Sequence, residues 1–64
     1  MSRLAMEKIL KKAGAKRVSD KAADAMREII EAEALKLAEK AVKLSEHSGR
    51  KTVTAEDVKL ASSM

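Results

Sequence analysis

Nine residues near the C-terminus, Gly49-Arg50-Lys51-Thr52-Val53-Thr54-Ala55-Glu56-Asp57, hold the types and spacing best suited to chemistry. They place a helix-ending glycine, two cations and a hydroxyl in a tight connection that runs into a newly capped helix. Backbone N–H groups, the Lys51 ammonium and the Thr52 hydroxyl can converge there on one small patch, a donor set suited to phosphate oxygens. The other polar candidates point elsewhere. Glu28, Glu31, Glu33 and His47 offer no histidine at the spacing of a di-metal bundle, so they read as a solvated face with no metal. His47 lies near the end of its helix, where an imidazolium complements the dipole, and reads as helix-end packing or a subunit contact. A glycine-poor helical chain offers little to build a concave catalytic site, so the sequence does not read as an enzyme; no cofactor and no small-molecule substrate are expected.

The elements that must position this patch follow from composition. The chain has 64 residues, no Phe, Trp, Tyr, Pro or Cys, and one His. At that length a single domain, spanning 1–64, is the expectation, and its core is marginal when burial falls to Leu, Ile, Val, Met and Ala. Such a composition can form neither disulfides nor a structural zinc site, which leaves self-association as the ordinary source of further stability. The net charge of +4 is unevenly spread. Residues 1–21 carry seven cations against two carboxylates, 22–48 four against six, and 49–64 three against two. Positive charge gathered at both ends of an acidic middle favours a polyanion met through separate patches, although a solvated lysine-rich surface has the same composition. No apolar run is long enough to span a membrane, and the start lacks the apolar stretch of a signal peptide, so an intracellular protein is expected.

Punctuation along the chain predicts three helices. The first starts after an N-cap at Ser2 and ends at Gly14, with Met6, Ile9, Leu10 and Ala13 forming one apolar stripe. Ser19 caps the second, whose opening turns carry Asp20 and Asp24; from there to Ser48 no glycine interrupts a run of strong helix formers. About 28 residues make a helix roughly 42 Å long. Its apolar positions, among them Ala22, Ala25, Met26, Ile29, Ile30, Ala34, Leu37, Ala38, Ala41, Val42 and Leu44, form a band too broad for a helix lying on one flat surface. Gly49 ends it, and Thr54 with Asp57 three residues on opens a third helix of about eight residues carrying Val58, Leu60 and Ala61.

This short-long-short plan, together with Ala13-Gly14-Ala15-Lys16-Arg17-Val18-Ser19-Asp20 and His47-Ser48-Gly49-Arg50-Lys51-Thr52-Val53-Thr54-Ala55-Glu56-Asp57-Val58, resembles an archaeal-type histone from about Met6 to Ala61. The resemblance implies an all-α histone fold in which two copies interlock in a handshake, their long helices crossing antiparallel. The Lys16–Ser19 loop of one copy then lies beside the Arg50–Thr54 loop of the other, and the first helices meet near the dyad. It also implies double-stranded DNA as the partner, bent along a cationic arc whose spacing suits inward-facing minor grooves recurring about every ten base pairs. By the same likeness Arg17 enters the minor groove, positioned by Thr52 of the second copy, while Lys16, Lys51 and Ser19 meet phosphates. Lys8 and Lys11, with Lys12 beside them, supply charge on the first helix. Arg50 and Asp57 map onto a loop-fixing ion pair, with a phosphate contact by Arg50 as the alternative. Leu44, His47, Asp57 and Leu60 match a junction between dimers, which gives a tetramer or larger assembly on DNA, and another histone is a further candidate as heterodimer partner. The implied location is the chromosome in the cytoplasm.

Two departures from the family pattern bear on assembly. Met1-Ser2-Arg3-Leu4-Ala5 replaces an apolar, proline-containing start, and Ser62-Ser63-Met64 replaces a basic turn with an aromatic. A shorter third helix offers less surface for stacking dimers, so discrete tetramers that bend or bridge DNA stand beside continuous stacking. Two other functions compete: a histone-fold protein–protein dimerisation module, against which the presence of Arg17, Lys51 and Thr52 weighs, and a membrane-surface helix, which the acidic middle and missing aromatic anchors disfavour.

Overall fold

The structure is a computed structural model that describes residues 1–64. It is all-α, with α1 at Arg3–Lys12, α2 at Asp20–His47 and α3 at Ala55–Ser62. The chain divides into two compact units, Met1–Ala32 and Glu33–Met64, and α2 is continuous through both. No helix is long and apolar enough to cross a membrane.

In the first unit, the Ser2 hydroxyl accepts the Ala5 N–H at 3.1 Å and so satisfies one of the orphan donors that open α1. The far end closes as a Schellman motif. Gly14, at φ 119°, lets the Ala15 N–H reach the Leu10 carbonyl and its own N–H reach that of Lys11, both at 3.0 Å. Ser19 then caps α2, its hydroxyl accepting the Ala22 N–H at 3.0 Å. Met6 and Ala23 are the fully buried apolar pair of this unit. The stripe on α1 is only partly covered: Leu10 is half-buried, Ile9 is 45% exposed and Ala13 is exposed. Within one copy α2 offers a single face to α1, too narrow to cover all four positions.

The second unit repeats the same local logic. Gly49, at φ 71°, ends α2 with a second Schellman pair, in which the Arg50 N–H bonds the Ser45 carbonyl at 3.1 Å and the Gly49 N–H that of Glu46 at 2.9 Å. Thr54 opens α3 through a reciprocal capping box with Asp57. Ala41 and Ala61 are buried beside the polar residues Ser45 and Asp57, while Val58 and Leu60 remain exposed.

Two substitutions test this punctuation by chemical denaturation. Thr54→Ala removes the cap and costs about 1 kcal/mol. Gly49→Ala forces a Cβ into left-handed backbone and costs about 1–2 kcal/mol. A neutral result at both positions would show that the connection is not held in this geometry.

Candidate nucleic-acid interface

The connection after α2 is built around one carboxylate. Asp57 sits in the first turn of α3 with its side chain 7% exposed. The Arg50 guanidinium grips it as a fork, Nη2 on Oδ1 at 2.7 Å and Nη1 on Oδ2 at 2.8 Å, and the Thr54 N–H donates to Oδ2 at 2.8 Å. Fork geometry and ionised partners make these strong, orientation-fixing bonds. Arg50 Nη1 also reaches the Thr52 carbonyl at 3.1 Å. From inside, the Ser45 hydroxyl donates to that same carbonyl at 2.9 Å and approaches the Arg50 carbonyl at 3.2 Å. The backbone from Arg50 to Thr54 is therefore tied at several points, while the side chains of Lys51 and Thr52 stay exposed. Arg50 acts on this connection through its guanidinium, which is occupied by Asp57 and the Thr52 carbonyl.

The connection before α2 is simpler. Val18 is half-buried, and Lys16, Arg17 and Ser19 are exposed around the N-terminus of α2, where the Asp20 and Lys21 N–H groups have no carbonyl partner within the helix. The Ser19 hydroxyl accepts the capping bond and keeps its own proton to donate. Among the cations, Lys8, Lys16, Arg17 and Lys51 have no carboxylate within ion-pairing distance. Lys11 differs, being paired with Glu7 one turn back at 3.1 Å, which offsets its charge on α1.

Of the residues matched to a junction between dimers, Leu44 and His47 line one concavity with Lys40, Lys43 and Met64. Leu60 is exposed on α3 and Asp57 is buried. Three of the roughly four acceptor positions of the Asp57 carboxylate are filled from its own chain. No group of three or more metal-ligating side chains comes together.

Two features escape a reading of the sequence. Ser45 lies four residues beyond Ala41 on the buried side of α2, and only that register hinted that its hydroxyl faces inward. Arg3 has no local signal at all. Its Nε and Nη2 bond the two oxygens of Asp24, 21 residues away, both at 2.8 Å, and Nη1 lies 3.9 Å from Asp20. Asp24 thus serves as a partner for α1 besides its place near the start of α2. The N-terminal ammonium meets Glu31 at 2.9 Å in the same unit.

These contacts set the acid behaviour. The Arg50 fork, then the Thr54 N–H, holds the Asp57 carboxyl well below the usual carboxylate range. The Arg3 fork lowers Asp24, and the hydrogen bond from the terminal ammonium lowers Glu31. A carboxyl depressed in the folded state stabilises fully above its unfolded pKa, about 4, and that contribution is lost as pH falls toward the folded value. The thermal midpoint is therefore expected to be flat from pH 7 to about 5 and to fall below about pH 4. In Asp57→Asn the fall should be shallower; an unchanged slope would show that Asp57 does not govern it.

Comparison with known proteins gives a consistent match. Residues 3–61 fit the family described as histone-like transcription factor (CBF/NF-Y) and archaeal histone. The chain is 48% identical over 56 residues to one of the subunits of archaeal histone HAN1 from Thermococcus zilligii, covering 88% of this chain and 84% of that one. It is 54% identical over 54 residues to probable archaeal histone 3 of Methanocaldococcus jannaschii, covering 84% and 81%.

Proposed function

The chain belongs to the family of archaeal histones and histone-like CBF/NF-Y transcription factors, and from that premise we propose an architectural histone whose dimer binds and bends duplex DNA with little sequence preference. The observation that carries this reading is the tied connection after α2, which leaves Lys51 and Thr52 exposed on a fixed backbone. A cation beside a hydroxyl on rigid backbone meets a phosphate with little further ordering cost. At the other connection, the Ser19 hydroxyl and the free N–H groups of α2 serve a second phosphate, Lys16 a neighbouring one, and Arg17 the minor groove. Lys8 and Lys11 extend the contact along α1.

Two interlocked copies are part of the proposal. One copy leaves Ile29 64%, Leu35 61% and Leu60 56% exposed, large apolar side chains that a small domain without aromatic residues has reason to cover. The dimers associate further on DNA through Leu44, His47, Asp57 and Leu60, and the site of action is the chromosome. Affinity comes from phosphate contacts and DNA deformability, so it falls steeply with salt.

A heterotypic histone partner is the second reading. It is favoured by the Thermococcus relative being named as one subunit of a histone. Sedimentation of the purified chain separates the two, since a stable homodimer supports the first and a dissociated chain supports the second.

For DNA binding the test is Arg17→Ala combined with Thr52→Ala. Duplex affinity should drop about tenfold or more, with the dimer still folded. Unchanged affinity at low salt would remove the DNA assignment of these residues.

A further inference from the structure

Arg3 is poorly placed for its own helix. It occupies the first turn of α1, where a cation opposes the macrodipole, and that turn carries no acidic residue to compensate. Its position makes sense only through α2. The guanidinium forks onto Asp24 at 2.8 Å twice over, stands 3.9 Å from Asp20, and shares Asp24 with Arg27 at 3.7 Å. Asp20 is the first residue of α2, directly after the Ser19 cap.

Besides the single bond from the N-terminal ammonium to Glu31, which precedes α1 and can pivot, the remaining hold on α1 is weakly directional. Met6 is fully buried and Ala23 nearly so, but a methionine has three flexible torsions and an alanine little shape, so this pair tolerates sliding and rotation of α1. A two-bond fork does not, because both oxygens must stay in the guanidinium plane. Lys8 and Lys11 lie on α1 one to two turns beyond Arg3, so whatever fixes the roll of α1 fixes where their ammonium groups stand relative to Arg17 and Ser19.

From this geometry we infer that Arg3 is a positioning residue for the DNA face: locked to Asp24, it sets the orientation of α1 and so aims Lys8 and Lys11 at the duplex, without touching DNA itself. The inference rests on the DNA-binding reading above. It also separates Arg3 from the other cations of the N-terminal segment, which a count of charge alone treats as equivalent.

The experiment is duplex affinity by fluorescence anisotropy on the full chain, with circular dichroism confirming that each variant is folded at the temperature used. Arg3→Gln and Asp24→Asn should both weaken binding about three- to tenfold. They change net charge in opposite directions, so a purely electrostatic role predicts opposite effects. Arg3→Asp/Asp24→Arg keeps the net charge and restores a pair of reversed polarity, and it should recover most of the affinity. Arg3→Gln should also have no further effect in a Lys8→Gln/Lys11→Gln background, whereas a phosphate contact by Arg3 or general loosening of the fold would persist there. Tighter binding by Asp24→Asn, no recovery in the swapped pair, or a persisting effect in the lysine-free background would each overturn the inference. If any variant is unfolded, Arg3→Lys, which keeps the charge and loses the fork, takes its place and should weaken binding; wild-type affinity in Arg3→Lys would overturn the inference. An unsubstituted protein that binds no duplex at low salt defeats the functional proposal as well, which distinguishes that failure from those of the variants.

Discussion

Four apolar side chains, Met6, Ala23, Ala41 and Ala61, are all that one copy buries almost completely, and three of them are alanines. That shortage governs the rest of the molecule. A buried alanine contributes little transfer free energy and almost no shape, so neither unit can rely on interlocking apolar side chains to fix one arrangement. What remains is a 28-residue helix made from strong helix formers and two short helices held to it by other means.

Those other means are polar and local in each unit. Around Asp57, an arginine fork, a backbone N–H and the neighbouring serine network supply the directionality that aromatic packing gives larger domains. Around Asp24, the Arg3 fork does the same for α1. In both places arginine is committed to structure, whereas the cations in the two connections that flank α2 other than Arg50, namely Lys16, Arg17 and Lys51, are among those left without carboxylate partners. In a chain that is more than one-third Asp, Glu, Lys and Arg, the two arginine forks are thereby set apart from the exposed cations that the proposed function assigns to DNA.

The exposed apolar residues complete the same account. Ile29, Leu35 and Val42 lie along α2 only partly covered by their own chain, and Leu60 does so on α3. A breadth of apolar positions too large for one neighbour is expected of a helix that meets several, and in the proposed dimer a second copy supplies the missing neighbours.

What the sequence determined by itself was local. Ser2, Gly14, Ser19, Gly49 and the Thr54–Asp57 capping box mark where each helix begins and ends, because caps and left-handed closures act over three to five residues and leave their signature in spacing. The quoted motifs around the two connections likewise sufficed to place the chain in its family. Tertiary structure alone decided which members of each apolar stripe are covered, that Ser45 reaches into the following connection, and that Arg3 belongs to Asp24. Those choices depend on which helix faces come together. A cation in a basic N-terminal segment has many possible carboxylate partners, and no spacing rule spans the 21 residues between the two that meet.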